Sequence, residues 1–415
     1  MPYSESVILR DPLYGYIDLS DQEIQVLDTA PVQRLRGIKQ VAHTYLVYPS
    51  AIHTRFTHSL GTMHVAGLVA DQLGLTREQT RLVRLSALLH DVGHGPFSHL
   101  FEELSQCATG TRVDHELVGR AIIQTSPALR RALGADRRAV IEILAGNKGV
   151  MSKIISGGVD SDKMDYFRRD SFHAGVRYGQ YDFDRILRTL KRHNEHIVVP
   201  EKGWDAMDGF LLAREQLYLQ VYYHHARIIA DEMLKRVVEL ASRSGDLQSD
   251  RFRFDPENPA PFLARFMEWD DTGFMNMLGS QARGPAAELL EGLANRRLLK
   301  RGYYCDVKDI DAVPRGQLTA GGEQLREMEQ FISRRTNSPP HQIFAKIPAI
   351  SMKQYYLKGR EELYALRDTG KIENFLDVSK IKGPSDDLLR LIVFGPGSKR
   401  HQIEVAAKQF INSLE

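Results

Sequence analysis

Residues 82–99, which read LVRLSALLHDVGHGPFSH, constrain the fold of this chain more than any other stretch. An apolar run ends in the dipeptide His90-Asp91, and residues that break helices follow it: Gly93, Gly95 and Pro96. Adjacent helical residues point about 100° apart, so a neighbouring histidine and aspartate can face one point only where a helix ends or distorts. The sequence therefore predicts that the dipeptide stands at a helix end, before a loop that brings His94 and His99 into the same small volume.

An imidazole beside a carboxylate suits a borderline or hard divalent ion such as Mn, Fe, Zn or Mg. Further candidate ligands lie on other predicted helices. His58 opens an amphipathic helix upstream, and Asp162 stands near the start of a helix that follows a glycine pair. The pattern H…HD…D predicts one ion held by four side chains: His58, His90, Asp91 and Asp162. Such a site leaves positions open for water and a substrate oxygen, which indicates metal-assisted hydrolysis of a phosphoester or phosphoanhydride.

The composition is that of a globular protein. A length of 415 residues predicts two to three domains, and a net charge of +2 gives no basic field of the kind that indicates nucleic acid. Cys107 and Cys305 lie far apart and form no CxxC motif, which argues against a disulfide framework and favours a reducing compartment. No apolar run approaches the ~18 residues of a membrane span, and the first residues do not read as a signal peptide. We therefore expect a cytoplasmic protein without a membrane segment.

Seven sequence blocks occur in a fixed order over roughly residues 8–240: DPLYGYI, DTAPVQRLRGIKQ, YPSAIHTRFTHSLGT, LLHDVGHGPFSH, DHE, GVDSDKMDYFRRD and AREQLYLQVYYHH. In these blocks the chain resembles the HD-domain phosphohydrolases. The detail is most similar to the deoxynucleoside triphosphate triphosphohydrolases of the SAM-and-HD-domain type and their bacterial relatives. A bare His-Asp pair would be weak support, whereas seven ordered blocks are strong support.

The resemblance implies a mainly α fold with a helical HD-domain core. Alternating residues at 3–18 predict a short N-terminal hairpin or edge strand, and mixed patterns after residue 310 predict a smaller α+β C-terminal lobe. We expect a core over 1–245, a helical extension over 246–310 and the lobe over 311–415. Helical periodicity predicts a helix over 21–39 and one long helix over roughly 205–243.

The resemblance also implies a set of residues that bind the substrate: Gln40, Val41, Arg55, Lys163, Tyr166, Asp170, Arg214 and Tyr222. The arginines and the lysine would contact phosphate, while the remaining residues would contact the sugar. Helical spacing supports the placement of Tyr166, because this residue lies four positions after the predicted metal ligand Asp162 and can share a helix face with it. The chain departs from the best-known branch of the family at Val41 and Tyr223, where that branch has leucine and glutamine.

Three histidines, His94, His99 and His115, accompany the predicted ligands. Each alone could be a surface or core residue. In the family, histidines at these positions act as acid or base and as phosphate contacts, and Glu116 or a nearby acid would orient one of them. The sequence leaves open which histidine protonates the leaving group. We expect structural or surface roles for the other early histidines: His43, His53 and His64.

The residues Asp28, Gln33 and Arg36 allow two interpretations. Taken alone, they are typical of a solvated helix with an ion pair, because surface pairs are common and weak. By resemblance they match a guanine-nucleotide activator site, which would bind dGTP or GTP. Relatives that carry this motif assemble as tetramers, so the resemblance also implies a homotetramer.

The implied reaction is hydrolysis of a deoxynucleoside triphosphate to a deoxynucleoside and triphosphate. It would need one divalent ion in each active site, with additional Mg accompanying the nucleotide. Two alternatives stay open at this point. One is an HD phosphohydrolase acting on nucleoside monophosphates or cyclic nucleotides, and the other is a nucleotide-binding regulator with a degenerate metal site.

Overall fold

The computed structural model describes residues 7–320, 322–348, 363–381 and 389–414. Its first element is an antiparallel hairpin in which β1 (Val7–Asp11) pairs with β2 (Gly15–Leu19). Gly15 closes the turn with a φ of +76°, a conformation that residues with a Cβ rarely adopt. The predicted N-terminal hairpin is confirmed for these residues, and residues 3–6 of that prediction lie outside the described part of the chain.

The described residues are mainly helical, as predicted, and they fall into two compact units. The first unit lies within Met1–Tyr223, Gln248–Met277 and Gly359–Ile381. The second lies within His224–Leu247, Leu278–Lys358 and Lys382–Glu415. None of the helices in the described ranges combines the length and the apolar character that crossing a bilayer requires.

A succession of helices builds most of the first unit. These are α1 (Asp21–Leu27), α2 (Ala30–Arg34), α3 (Arg55–Gln72), α4 (Arg77–Leu89), α5 (His99–Thr109), α6 (His115–Thr125), α7 (Pro127–Leu133), α8 (Arg137–Leu144), α9 (Val150–Ile155), α10 (Ser161–Ala174), α11 (Phe183–Thr189) and α12 (Trp204–Leu217). Helix α3 is buried on most of its surface because it packs against both α4 and α10. The predicted continuous helix over 21–39 is wrong. Helix α1 ends at Leu27, with Asp28 as its C-cap, and Pro31 lies in the first turn of α2, where its missing N–H costs nothing.

The long helix predicted over 205–243 is also interrupted. Helix α12 passes into a π-helical turn at Tyr218–Tyr222, and a new helix, α13 (His225–Ser244), then begins. His224 has an extended backbone conformation, and its side chain accepts a hydrogen bond from the N–H of Ala226 as a helix cap. Because the apolar pattern continues on both sides of this break, periodicity alone could not reveal it.

The remaining helices are α14 (Ala260–Phe266), α15 (Asp271–Gln281), α16 (Gly284–Ala294), α17 (Ala312–Ala320), α18 (Gly322–Thr336), α19 (Phe375–Val378) and α20 (Arg400–Asn412). The remaining strands are β3 (Lys191–His193), β4 (His196–Pro200), β5 (Lys300–Asp306), β6 (Phe344–Lys346), β7 (Tyr364–Leu366), β8 (Ile372–Asn374) and β9 (Arg390–Gly395). In the first unit, one sheet has the order β3-β4-β7-β8, with β4 and β7 parallel.

The second unit combines helices with an antiparallel sheet of order β5-β9-β6. Helices α18 and α20 pack near this sheet, and the core between them is apolar, with buried side chains such as Met328, Ile332, Ile343, Val393, Ile403 and Phe410. The apolar and aromatic stretches RGYYCD and RLIVFG form β5 and β9. The predicted α+β character of the C-terminal part is therefore confirmed for the described residues.

Candidate metal centre

Three helices deliver the predicted metal ligands to one point of the first unit. His58 lies in the first turns of α3, and Asp162 lies in the first turn of α10. His90 is the residue at which α4 ends, and Asp91 follows it in the turn. The chain therefore turns away from the helix at the dipeptide, as the glycines and proline after it predict. We call these four side chains the metal-ligand cluster.

The four side chains of the metal-ligand cluster converge. His58 Nε2 lies 3.0 Å from Asp162 Oδ1 and 3.6 Å from Asp91 Oδ2. His90 Nε2 lies 3.2 Å from Asp91 Oδ1 and 3.7 Å from Asp162 Oδ1. Both imidazoles thus direct the same ring nitrogen towards both carboxylates.

The donor set fits a divalent ion. Ligand atoms of His58, His90 and Asp162 all lie within 4.8 Å of one another. Among the described residues, His90 Nε2 is buried and has no hydrogen-bond partner, and burying such a nitrogen without a partner is costly. A metal ion would satisfy it, and two imidazoles with two carboxylates suit Mn, Fe, Zn or Mg.

The negative charge of the carboxylates in and around the metal-ligand cluster also favours a bound cation. Burial opposes the protonated form of His58, but hydrogen bonds to Asp162 and Asp165 outweigh it and raise the pKa of His58 to about 10. Burial likewise opposes the charge of Asp91, yet Arg55 and nearby imidazoles hold the pKa of its carboxyl well below the usual range. The carboxylates therefore stay ionised at neutral pH, and the cluster attracts positive charge.

A second layer of contacts fixes the two imidazoles. His58 Nδ1 lies 2.8 Å from Asp165 Oδ2, and His90 Nδ1 lies 2.7 Å from the carbonyl oxygen of Ala87. Asp165 in turn accepts two hydrogen bonds from Arg169, of 2.8 and 2.9 Å. Contacts of this kind orient metal-binding histidines and make them better ligands. Gly61 makes room for them, because a Cβ at this position would lie 1.9 Å from Asp165 Oδ1.

Beside the metal-ligand cluster lies a group of four further side chains that we call the histidine cluster: His94, His99, Glu102 and His115. Glu102 Oε1 lies 2.6 Å from His115 Nδ1 and 3.3 Å from His99 Nδ1. The ring of His94 stacks on that of His115, with their centroids 3.9 Å apart. The two clusters meet where His94 Nε2 lies 3.3 Å from Asp91 Oδ1.

The acid beside the histidines is Glu102, a nearby acid of the kind that the prediction allowed as an alternative to Glu116. The side chain of Glu116 is exposed and pairs with Arg120, whose Nη1 lies 3.7 Å from Glu116 Oε2. Sequence reasoning missed Glu102, although a signal existed. It stands three residues after His99 on α5, and residues three apart share a helix face.

The loop that carries the histidines is held in an unusual conformation. Phe97 and Ser98 have φ values of +60° and +61°, which residues other than glycine rarely adopt. Asp271 accepts a hydrogen bond of 2.7 Å from the N–H of Phe97, and Arg55 donates one of 2.8 Å to the hydroxyl of Ser98. Gly93 is required for another reason, because a Cβ there would lie 2.1 Å from the carbonyl oxygen of His115.

Burial and positive neighbours lower the pKa of two of these histidines. For His94 the pKa falls well below its ordinary value because of burial, then because of Arg55 and His115. For His99 burial lowers the pKa more than the hydrogen bond to Glu102 raises it, and Arg55 adds to the decrease. Both rings are therefore neutral at pH 7, the form in which imidazole binds metals or accepts a proton.

Helix α10 extends from the metal-ligand cluster towards predicted sugar-binding residues. Asp170 Oδ1 lies 2.7 Å from His53 Nε2, and the hydroxyl of Tyr222 donates to Asp170 Oδ2. The ring of Tyr166 lies 6.5 Å from that of Tyr222. His53 is buried and holds Asp170, so it joins this group of residues although sequence reasoning gave it no specific role.

The other predicted substrate residues differ in whether their side chains lie at the metal-ligand cluster. Arg55 donates to Asp91 Oδ2 at 2.5 Å and so lies at the metal-ligand cluster. Gln40 has a buried side-chain oxygen without a hydrogen-bond partner among the described residues, and Val41 beside it is half-buried. Lys163 is turned away, because its Nζ donates to Asp160 and to the carbonyl oxygen of Gly157. Arg214 is buried on α12.

The three predicted activator residues lie on and around α2. Arg36 Nε donates to Gln33 Oε1 at 2.8 Å, and its guanidinium lies 3.5 Å from the ring centroid of Phe56. Asp28 is exposed at the end of α1. Arg34, between these residues, points inward and donates to the carbonyl oxygen of His94 at 2.6 Å. This helix therefore presents polar groups outward and holds the histidine-bearing loop from behind.

Comparison with protein families matches this architecture. An HD domain model matches residues 55–170, and a model of the HD associated region matches residues 181–414, more than half of the chain. The chain belongs to the HD-domain family. The resemblance stated from the seven sequence blocks is thereby confirmed.

Similar proteins come from distant organisms. The uncharacterized protein MJ1154 of Methanocaldococcus jannaschii is 41% identical over 249 residues, which cover 58% of this chain and 51% of that protein. The deoxynucleoside triphosphate triphosphohydrolase SAMHD1 of Danio rerio is 27% identical over 346 residues, which cover 72% of this chain and 55% of that protein. The chain thus spans about half the length of the curated relatives it matches. A crystal structure of a phosphohydrolase from Bacteroides thetaiotaomicron shares the fold, with a TM-score of 0.77, 24% identity and coverage of 94% of this chain and 100% of that one.

The HD domain contains both clusters in full. It begins at Arg55 and ends at Asp170, so it also includes the phosphate and sugar candidates on α3 and α10. The predicted activator residues and Gln40 precede the HD domain, while Arg214 and Tyr222 lie in the HD-associated region. The candidate site is therefore centred on the HD domain and uses side chains from either side of it.

Proposed function

We propose that this chain is a metal-dependent phosphohydrolase that converts deoxynucleoside triphosphates to deoxynucleosides and triphosphate. The observation that carries the proposal is the junction at Asp91. Its carboxylate belongs to the metal-ligand cluster, accepts a hydrogen bond of 2.5 Å from Arg55 and lies 3.3 Å from His94 Nε2. Metal ligands, a phosphate-binding cation and proton-exchanging imidazoles thus meet at one residue, as hydrolysis of a phosphate ester requires. The name of the Danio rerio relative supports the choice of substrate.

In this proposal the metal-ligand cluster binds the metal ion, and the histidine cluster supplies the proton transfer. The metal-ligand cluster would hold a divalent ion, which when bound polarises a phosphate oxygen and lowers the pKa of a coordinated water. Arg55 holds a non-bridging phosphate oxygen through its planar guanidinium. Hydrolysis forms a bond from water oxygen to the α-phosphorus and breaks the bond from that phosphorus to the 5′ oxygen. The leaving oxygen then needs a proton.

We assign that proton transfer to His115. Its Nδ1 lies 2.6 Å from Glu102 Oε1, which orients the ring. The other ring nitrogen is then the one that exchanges a proton with the leaving oxygen. Arg112 donates to Glu102 Oε2 at 2.9 Å and keeps this carboxylate in place.

The sugar end of the substrate would lie along α10. Asp170 is fixed by His53 on one oxygen and by Tyr222 on the other. A carboxylate oxygen accepts more than one hydrogen bond, so Asp170 can still accept from a sugar hydroxyl. The side-chain oxygen of Gln40, which has no hydrogen-bond partner among the described residues, offers another acceptor. Tyr222 would crowd the 2′ position and favour deoxyribose.

The proposal extends to regulation and assembly. Asp28, Gln33 and Arg36 would bind dGTP or GTP, and the chain would act as a homotetramer, by analogy with relatives that carry this motif. The bond of Arg34 to the carbonyl oxygen of His94 supports a link between α2 and the histidine cluster. An Arg36→Ala variant tests the activator, because it should fold normally and lose stimulation by either nucleotide. Unchanged stimulation in this variant would remove the support for an activator here.

The decisive test is product analysis. The full chain is incubated with each deoxynucleoside triphosphate and Mn or Mg, with and without GTP or dGTP, and the products are separated by chromatography. Triphosphate and deoxynucleoside are the expected products. Monophosphate with pyrophosphate, or no turnover under any combination, would overturn the proposal.

One observation favours a second candidate. Lys163 is engaged by Asp160, so fewer cations than expected are available for a triphosphate chain. A nucleoside monophosphate or a cyclic nucleotide would need fewer. These compounds belong in the same assay, and turnover of them alone would establish the second candidate.

A further inference from the structure

The histidine cluster has the composition of a metal site in its own right. Its three imidazoles and one carboxylate offer ligand atoms that all lie within 4.8 Å of one another. None of these residues belongs to the metal-ligand cluster. Nitrogen and carboxylate oxygen are ligands that zinc accepts, in tetrahedral geometry with bonds of about 2.1 Å. Ligand atoms at the corners of such a tetrahedron lie ~3.4 Å apart.

The distances in the cluster are close to this geometry. His99 Nδ1 already lies 3.3 Å from Glu102 Oε1, while His115 Nδ1, at 2.6 Å from the same oxygen, would have to move back slightly. The two oxygens of Glu102 have different neighbours. Arg112 Nη2 lies 2.7 Å from Oε2, which leaves Oε1 facing the imidazoles.

A second observation points to a ligand. His94 is 1% exposed, and among the described residues its Nδ1 is buried without a hydrogen-bond partner. Its Nε2 faces Asp91, so Nδ1 is the nitrogen that can turn to a ligand beside His115, on whose ring His94 stacks. A cation would satisfy this nitrogen, whose burial without a partner otherwise costs free energy.

The cluster is also reachable from solvent. The side chain of His99 is 62% exposed, whereas those of His58 and Asp91 are 0% and 6% exposed. An ion could therefore enter and leave the histidine cluster without opening the buried metal-ligand cluster. That difference suits a site that responds to the concentration of free ion.

We propose that His94, His99, Glu102 and His115 form a second divalent-metal site that prefers zinc, and that zinc bound there inhibits the hydrolase. Zinc would replace the proton that His115 Nδ1 shares with Glu102, and that proton would leave to solvent. The metal-bound ring would keep its remaining proton on Nε2 and could no longer form the imidazolium that donates to the leaving oxygen. The ring would lose the hydrogen bond that orients it. The binding step does not depend on the proposed function, whereas the inhibition rests on it.

Binding is tested by stoichiometry. The full chain is stripped with a chelator, dialysed against zinc and analysed for bound metal by mass spectrometry. Two zinc ions per chain are expected. His99→Ala should lose one, because its side chain is a ligand on an exposed position where truncation spares the fold, and Glu102→Gln should lose the same one. Asp162→Asn should lose the other.

The matched control is Glu116→Gln, an exposed glutamate on α6 that should retain two zinc ions. Circular dichroism confirms that each variant is folded. One zinc ion in the native chain, or two ions in both His99→Ala and Glu102→Gln, would overturn the second site. This readout needs no substrate, so it decides the site even if the chain hydrolyses none of the nucleotides tested.

Inhibition is tested with the chain loaded with Mn at the metal-ligand cluster. Zinc is titrated into the turnover assay, and retained Mn is measured in the same samples. A loss of turnover of at least tenfold with Mn still bound, reversed by a zinc chelator, is expected. Two results would overturn the inhibitory role. In one, turnover falls only in samples that have lost Mn; in the other, turnover stays unchanged while two metal ions are bound.

Discussion

The metal-ligand cluster and the histidine cluster both combine imidazoles with carboxylate, but they surround the imidazoles with opposite charge. His58 and His90 face carboxylates, which outweigh burial and raise the pKa of both rings. Desolvation, with Arg55 and His115, lowers the pKa of the buried His94 and of His99, whose side chain is more exposed. The charges of the first cluster therefore favour a bound cation, whereas those of the second favour neutral imidazoles.

The clusters also differ in how firmly they are held. In the metal-ligand cluster, the rear nitrogen of each imidazole has its own partner, Asp165 for His58 and the carbonyl of Ala87 for His90. In the histidine cluster, His99 and His115 share a single oxygen of Glu102. A hydrogen-bond partner that serves one imidazole alone restricts the rotation of that ring more than a partner shared by two rings does. Such contacts preorganise a metal site. Two neighbouring groups of imidazoles in one HD domain thus differ in the charge around them and in how firmly they are held.

The largest effect is expected for Asp162→Asn. Loss of a partner that merely orients a metal ligand costs about 10–100-fold in affinity or activity, so loss of a ligand should cost more. We expect turnover and metal retention to fall by more than 100-fold, measured by product formation and metal analysis after stripping and reloading. Asp184→Asn, an exposed acid on α11, is the control. Normal metal retention in Asp162→Asn would refute the ligand set and the contrast between the clusters.

The next effect is expected for Glu102→Gln. General acid–base catalysis contributes about 10²–10⁴-fold, so kcat should fall within this range while KM changes little. Metal retention at the metal-ligand cluster should stay normal, which separates the two clusters functionally. Glu116→Gln should match the native chain. Equal losses of kcat in the two glutamate variants would show that the position of Glu102 does not matter.

A smaller effect on stability is expected for Gly61→Ala, which tests the bracing of the metal-ligand cluster. The new Cβ would lie 1.9 Å from Asp165 Oδ1, and such overpacking costs about 1–3 kcal/mol. Chemical denaturation should show the decrease, and metal affinity should fall with it. Gly209→Ala is the matched control, because a Cβ on this helical glycine meets nothing within 4 Å, and it should gain up to ~1 kcal/mol. A Gly61→Ala variant as stable as the native chain would mean that the brace is not tightly packed.

The smallest effect is expected at a second pair of stacked imidazoles, which lies outside the histidine cluster but also has a histidine with a lowered pKa. His173 stacks on His53 with ring centroids 4.5 Å apart, and burial, then His53, lower the pKa of His173 to about 4. Between pH 6.5 and 4 the unfolded chain binds a proton at this residue and the folded chain does not. The free energy of unfolding is therefore unaffected by His173 above pH 6.5 and decreases as the pH falls towards 4. His173→Gln should therefore show a shallower decrease in melting temperature between pH 7 and 4.5 than the native chain. Parallel decreases would show that His173 is protonated equally in both states.

Local patterns in the chain were sufficient for several features. The helix end at His90 could be predicted, because glycine and proline act on the backbone through their own covalent structure. Strands β5 and β9 and the N-terminal hairpin could also be predicted, since alternation and turn residues are local signals. The ligand set came from ordered motifs whose residue types suit a divalent ion.

Other features depend on contacts between residues that are distant in sequence. The choice of Glu102 over Glu116 follows from the approach of α6 to the loop at Gly93, which no local pattern encodes. The partnership of His53 with Asp170 joins residues 117 positions apart. The contact of Lys163 with Asp160 is the exception, because it joins residues only three positions apart.

The amino-acid sequence by itself determined where the helices end at the candidate site and which side chains can bind a metal. Tertiary structure decided which imidazoles face carboxylates and which face other imidazoles. The physical reason is that backbone preferences act over a few residues, whereas the charge around a buried ring depends on every element packed against it.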